Sequence, residues 1–317
     1  MPLIDKVEFL DRPFSVWVNG PEKSGKTRLA MGFPKVFAAT FDPTGLDLLT
    51  EPENVHLLEN LVYQVPMNGR SLQEVFAFSE TAGETGIYSA IALAKELAMK
   101  GSIKTFLLDG FTYLTSLKWA QICESKGVLS TEKENANKKE IDQRSWYDAL
   151  GAYLDHLMLQ NVFPLTSPPY NLNVVVTCHV QRESDNTIQG VKDPKHPELE
   201  RQSKRQVDLA SDLSPQVIGG FRQRIGGMPS AVIYLEDRLE KEGDKEVLNY
   251  YAYGRKTYSQ SLDTVIKAGN RYGIGTLRLT GANFYKTLLK KRQESITAAM
   301  AGSEPTDKAE ARKAATK

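Results

Sequence analysis

Gly20-Pro-Glu-Lys-Ser-Gly-Lys-Thr27 decides how this chain is read. Its pattern, two glycines with four residues between them followed by Lys and Thr, is that of a phosphate-binding loop. The flanks agree. Phe14-Ser-Val-Trp-Val18 is a short apolar run suited to a buried strand, and Thr27-Arg-Leu-Ala-Met31 reads as the first turns of a helix. Gly20 and Gly25 let the backbone curl so that successive N–H groups and the helix N-terminus point at phosphate oxygens. Lys26 is then placed to reach the β- and γ-phosphates, and the Thr27 hydroxyl to hold Mg²⁺. The expected nucleotide-binding set is Gly20, Pro21, Glu22, Lys23, Ser24, Gly25, Lys26, Thr27 and Arg28, with ATP and Mg²⁺ as cofactors.

Working outward, Gly32 and Pro34 stop the helix, and Lys35-Val-Phe-Ala-Ala-Thr-Phe41 reads as a second buried strand ending at Asp42-Pro43. Ser89–Ala98 has the apolar spacing of a helix packed on a sheet. Lys104-Thr-Phe-Leu-Leu-Asp109 is a strand of apolar residues ending in an acid, the Walker B form, which places the Asp109 carboxylate at the strand's C-terminal edge to hold the hydrated Mg²⁺. A crossover helix is expected from Trp146 to Leu159, and the Pro-rich link 164–169 leads into the buried strand Asn173-Val-Val-Val-Thr-Cys-His179. Further strands are expected at Pro229–Leu235 and Asn249–Tyr253. This alternation predicts an α/β fold with a mostly parallel sheet, helices on both faces and the ligand at the strands' C-terminal ends.

The 317 residues suit one main domain. We expect a core over 1–294, with a charged insertion near 124–147 and a long polar loop over 181–218. The insertion has the composition of a solvated helical hairpin or a mobile segment. Residues 295–317 carry no aromatic residue and read as a frayed helix or flexible tail. Charged residues make up 25% and balance to a formal net charge of +1, so any nucleic-acid contact must come from a local patch. Cys123 and Cys178 have no paired spacing, and the four histidines show no metal-ligand pattern, which points away from a disulfide framework or a zinc site. No apolar run approaches a membrane span, and Met1-Pro-Leu-Ile-Asp-Lys6 lacks a signal-peptide core. A cytoplasmic protein is expected.

With these features in order, the chain resembles the RecA-type recombinases. It is more similar to the smaller phage-encoded RecA-like ATPases of single-strand annealing and homologous recombination, which carry an AAA-like nucleotide-binding domain. Gly20–Ala30 resembles the RecA phosphate loop, Asp109 stands as the Walker B acid, and Phe41-Asp42 ends the next strand. Val175-Val-Thr-Cys-His179 stands where the family has a strand ending in a polar sensor, usually Gln. The 181–218 stretch stands at the second DNA-contacting loop, and Gly219-Gly220-Phe221 resembles its end. The resemblance implies a RecA-like P-loop NTPase fold, a homo-oligomeric ring or filament, and single-stranded DNA and a single-strand binding protein as partners. For a phage protein, the location is the host cytoplasm.

Two departures bear on catalysis. The family's catalytic Glu position is Thr44, so hydrolysis must be slow, absent, or served by Asp42 or Asp47; Asp42 is the candidate. His179 replaces Gln, and its charge is expected to vary near neutral pH; a histidine packed at a strand end is the competing reading. Arg255 and Lys256 fall near the place where the family supplies basic residues to a neighbour's ATP site, and an ordinary exposed basic pair competes with that role. In the polar stretch 181–215, six Lys/Arg stand among seven Asp/Glu, so DNA binding there is expected to be modest and salt-sensitive. Arg201, Lys204, Arg205 and Arg222 are the candidate DNA contacts, against a solvated loop face. Three readings follow: a recombination or annealing protein on single-stranded DNA, a P-loop switch or loader with a protein client, or a small-molecule kinase. The kinase reading lacks an arginine-rich lid.

Overall fold

The structure, a computed structural model, describes residues 12–52, 54–125, 143–182, 213–215, 217, 221–243, 245–259, 264–266, 268–280 and 283–302. The strands are β1 (Ser15–Gly20), β2 (Val36–Thr40), β3 (Leu61–Pro66), β4 (Thr105–Asp109), β5 (Asn173–Arg182), β6 (Leu213–Pro215), β7 (Ala231–Glu242), β8 (Lys245–Tyr253), β9 (Thr257–Ser259), β10 (Thr264–Ile266), β11 (Gly269–Asn270) and β12 (Thr276–Leu279). The helices are α1 (Lys26–Met31), α2 (Leu72–Phe76), α3 (Ile87–Met99), α4 (Phe111–Ser125), α5 (Gln143–Asp155), α6 (Phe221–Arg224) and α7 (Asn283–Gly302). The main sheet has the order β12-β8-β7-β1-β5-β4-β2-β3. From β7 to β3 every neighbouring pair is parallel, whereas β8 and β12 add to β7 as antiparallel strands.

The parallel strands are apolar on both sides because both sides are covered. Trp17, Phe37, Phe106, Val174 and Val176 face one layer with Ile87, Ile91, Leu114, Leu150 and Leu154 of α3, α4 and α5. Their strand neighbours Val16, Val18, Ala38, Leu107 and Val175 face the other, with Leu29 of α1 and Phe284 and Leu288 of α7. Helices therefore lie on both faces, as the alternating pattern requires. Trp17 is fully buried and meets Phe111 edge-on with ring centroids 4.8 Å apart. That contact ties the strand before the phosphate loop to the helix after Asp109.

Several elements differ from the sequence expectation. The edge strand β3 and the helix α4 were not anticipated: β3 is half exposed, and α4 mixes Thr, Ser, Lys and Gln into its apolar spacing. The strands expected at 229–235 and 249–253 are longer and pair with each other as an antiparallel hairpin, Tyr234 opposite Tyr253 and Glu242 opposite Lys245. At the C-terminus α7 runs on to Gly302, into the stretch from Ser295 read as a frayed helix or flexible tail. The insertion near 124–147 is bounded by α4 and α5, and its residues 126–142 lie outside the described residues. The polar loop is entered through the end of β5, where Val180–Arg182 pair antiparallel with Leu213–Pro215, and residues 183–212 lie outside the described residues.

Candidate functional site

The strand order sets the frame for the loop. β1 delivers Gly20 between β5 on one side and β7 on the other, so the turn from β1 into α1 opens at the C-terminal ends of the parallel strands. Gly25 has φ 84°, a left-handed conformation that side chains rarely adopt. A Cβ there would also stand 3.2 Å from the Tyr250 ring. The loop is closed by Ser24, whose Oγ donates to the Pro21 carbonyl at 2.9 Å. Glu22 and Lys23 are exposed, and Lys26 and Thr27 are buried.

Lys26 and Thr27 diverge into two neighbouring polar centres. The Lys26 ammonium donates to the carbonyls of Gly20 at 3.1 Å and Pro21 at 2.5 Å and lies 3.4 Å from His179 Nδ1. Burial lowers its pKa, with Asp109 opposing that shift. The Thr27 hydroxyl donates to both carboxylate oxygens of Asp109, at 3.3 and 3.2 Å. Asp109 ends β4, and β5 lies between it and β1. From β5, the Thr177 hydroxyl donates to Asp109 Oδ1 at 2.5 Å and accepts the Gly110 N–H at 2.9 Å. The carboxylate is only 2% exposed.

That enclosure has an electrostatic consequence. Burial pushes the Asp109 carboxyl up to about 6, with Asp42 adding to the rise and the Thr177 and Thr27 hydroxyls working against it. The turn after β2 forms a roof: a Cβ on Gly45 would collide with Asp109 Oδ2. Asp42 in the same turn accepts from the Thr44 N–H at 2.9 Å and the Thr44 hydroxyl at 3.1 Å. Thr44 is thus a partner of Asp42, and the carboxylate nearest Asp109 in this turn belongs to Asp42.

The donor set fits magnesium. One hydroxyl and one carboxylate, both hard oxygens, converge at the loop, and a Mg²⁺ ion that keeps several waters and takes phosphate oxygens needs few protein ligands. Among the described residues no group of three or more His, Cys, Asp and Glu gathers as a softer metal would require. Thr27 and Asp109 are the residues that would hold the ion.

His179 is buried in β5 opposite Gly20, with its backbone N–H donating to the Thr112 hydroxyl at 2.9 Å and its ring edge-on to Tyr113. Burial, followed by the neighbouring Lys26, lowers its pKa. That direction favours the neutral ring, which offers a hydrogen bond without a charge.

The remaining candidates lie elsewhere. β8 runs antiparallel to β7, so Arg255 and Lys256, which follow Tyr253, stand toward the opposite end of the sheet from the phosphate loop. Both are exposed, and Arg255 donates to the Gly273 carbonyl at 3.3 Å. The structure does not bring them to the loop of their own chain. Arg201, Lys204 and Arg205 lie outside the described residues, and Arg222 is in the short helix α6.

Two residues at the site escaped the sequence reading. Thr177 was read only as part of a buried strand, and its role needs the position of Asp109, 68 residues away. Tyr250 was read only as a strand residue; its ring packs on Gly25 and lies 5.7 Å from the Arg28 guanidinium.

No protein-family model matches the chain, and no curated protein does. Among solved structures, the chain is similar to the flagellar accessory protein FlaH from Methanocaldococcus jannaschii. The two are 12% identical over 84% of this chain and 89% of that one, with a TM-score of 0.31. The α/β assignment rests on the strand order and the phosphate loop described above. No helix among the described residues is long and apolar enough to cross a membrane.

Proposed function

We propose that this chain is a RecA-like P-loop ATPase that binds Mg·ATP and acts on single-stranded DNA in phage recombination, annealing or replication, within a cytoplasmic homo-oligomer. One observation carries the nucleotide part: the Lys26 ammonium and the adjoining Thr27–Asp109 pair lie side by side under a loop of the required backbone shape. Lys26 supplies the cation for the β- and γ-phosphates. Thr27 and Asp109 would hold Mg²⁺, which would supply neutralisation of phosphate charge. His179 offers a neutral hydrogen bond to the terminal phosphate, and Asp42 serves as the carboxylate that orients water in place of the family's Glu.

The DNA client rests on the family resemblance and on the place of the polar loop, whose two stems leave the sheet within three residues of His179. Arg201, Lys204, Arg205 and Arg222 are the proposed contacts, with a single-strand binding protein as a further partner. Because Arg255 and Lys256 stand away from their own chain's loop, they serve a neighbouring subunit's site in a ring or filament. A second reading, a nucleotide switch or loader with a protein client, is favoured by the charge balance of residues 181–215, six basic against seven acidic.

The test is ATP hydrolysis with and without single-stranded DNA, with assembly followed by light scattering and Lys26→Ala as the blank. Stimulation together with assembly is the expected result. ATP binding without any DNA effect would overturn the DNA client and leave the protein-client reading.

A further inference from the structure

The chain carries a formal net charge of only +1, but the two ends of its parallel sheet are charged differently. The loops that follow β1 and β2 hold Glu22, Lys23, Asp42 and Asp47. At the other end, where the parallel strands begin, the exposed charged residues are Arg12 ahead of β1, Lys35 ahead of β2, Lys100 and Lys104 ahead of β4, and Arg271 after β11. None of the described residues in the turns that lead into β1, β2, β4, β5 and β7 is Asp or Glu. The carboxylates of this end stand outside those turns. Glu59 precedes the edge strand β3, Glu96 on α3 pairs with Lys100 at 3.9 Å, and Glu294 on α7 pairs with Lys291 at 2.7 Å.

Hydrogen bonds join these turns into one rim. The Lys35 carbonyl accepts from the Lys104 N–H at 3.0 Å, the Lys104 carbonyl from the Asn173 N–H at 2.9 Å, and the Asn173 side-chain oxygen from the Phe14 N–H at 2.9 Å. The Ser230 hydroxyl accepts from the Ser15 N–H at 3.1 Å, and the Ser230 carbonyl from the Arg271 N–H at 3.2 Å. Lys35, Lys104, Arg12 and Arg271 therefore follow one another across the neighbouring strands β2-β4-β5-β1-β7, a row of about 19 Å at the usual strand spacing. The backbone beside the row is bare: Gly227, Gly269 and Gly275 have no heavy atom within 4 Å of a Cβ position and no left-handed φ. Neither packing nor conformation asks for glycine there, whereas close approach of a ligand to the backbone does. The turns of the rim expose no large apolar side chain, the kind of group that anchors a protein partner. Cations, serine, asparagine and open backbone are instead what phosphate oxygens take.

We infer that this rim binds the phosphate backbone of a nucleic acid, by charge and not by base, at the end of the sheet away from the phosphate loop. It is separate from the 181–218 stretch: β5 starts at the rim with Asn173 and reaches the stem of that stretch at Arg182, about 30 Å along the strand. Arg255, which donates to the Gly273 carbonyl, borders the rim on the β8 side and is left with Lys256 to the neighbouring subunit. The inference does not rest on the nucleotide reading; loss of ATP binding would leave it in place.

The experiment titrates labelled oligothymidine into the full-length protein over a series of KCl concentrations. It compares wild type, the triple variant Lys35→Gln/Lys104→Gln/Arg271→Gln and the loop variant Arg201→Ala/Lys204→Ala. Each phosphate contact to a single strand adds about 0.7 to the salt slope, so the triple variant should have a slope shallower by about 2 and, near physiological salt, an affinity lower by at least about tenfold. A urea melt with the wild-type midpoint shows that its fold is kept; where it is not, Lys35→Gln and Lys104→Gln alone should each flatten the slope by about 0.7. A triple variant that binds as wild type does, beside a loop variant that has lost binding, would overturn the rim and leave the loop contacts standing. A triple variant that loses affinity for polyglutamate but not for oligothymidine would overturn it in favour of an acidic protein. A wild type that binds neither oligothymidine nor duplex DNA would overturn it too.

Discussion

On one side of β1 the sheet is closed, and on the other it is open. The β5–β4–β2 side packs a carboxylate, two threonine hydroxyls, a lysine and a histidine into a space with almost no solvent. The β7–β8–β12 side is an antiparallel arm with exposed leucines, and its opposite face carries a ladder of polar groups in which Tyr251 and Asn249 donate to Glu240 and Arg278 donates to Asn249 and Glu242. A parallel strand flanked on both edges cannot shift without breaking two ladders, so the closed side holds charge in fixed positions. The arm has fewer neighbours and can offer surface. Fixed charge and exposed apolar surface are thus separated by a single strand.

The most damaging break is on the closed side. Lys26→Ala removes a buried cation whose neighbours include Asp109, and ATP affinity should fall by at least about 100-fold in a titration; normal affinity would remove the basis for contrasting the two sides. Thr177→Val comes next. It leaves the strand intact and takes away the hydroxyl that holds Asp109 Oδ1, so Mg²⁺-dependent turnover should drop roughly 10–100-fold. Nucleotide binding without Mg²⁺ should be preserved and Thr177→Ser should restore turnover; a loss that Ser cannot rescue would mean that Thr177 only packs.

A gentler probe is pH. The Asp109 carboxyl titrates near 6 when folded, against an ordinary 3.8, so the folded chain holds the extra proton in that window. Metal-free stability should therefore fall as pH rises from about 4 to about 6, by on the order of 3 kcal/mol from this group, and flatten above. Urea melts across that range should show the slope in wild type and lose it in Asp109→Asn. Mg²⁺ takes only the ionised carboxyl, so metal-supported ATP binding should weaken as pH drops below about 6; a pH-independent Mg²⁺ effect would place the ion elsewhere. The smallest effect belongs to the arm: Leu239→Ala should change stability by less than about 0.5 kcal/mol, whereas Leu107→Ala, buried between β2 and β5, should cost about 2–5 kcal/mol.

How far the sequence revealed these two sides follows from the kind of signal each leaves. The phosphate loop and the strands ending at Asp109 and His179 were legible because backbone curl and burial on both faces restrict residue type locally. Thr177 was not, since a threonine in a buried strand looks the same whether or not a carboxylate lies on the next strand. The direction of the arm was not legible for another reason: strands at 229–235 and 249–253 were recognised as apolar runs, and such runs do not state their direction. Gly243-Asp244 between them was the available sign of a tight hairpin. The lowered pKa of His179 was equally out of reach, because it comes from burial and then from Lys26, which stands 153 residues away.

The last three residues of β5 leave the parallel sheet and pair with β6, Arg182 opposite Leu213, a few ångströms of chain beyond the phosphate site. This makes a natural seam. Whatever lies between Arg182 and Leu213 enters and leaves through a stem held in register, so its length and composition can drift, or be exchanged wholesale for a segment from another source, without disturbing the chemistry beneath. A stem of this kind separates the sequence it carries from the packing beneath it, so one stretch of chain can change while the sheet stays as it is.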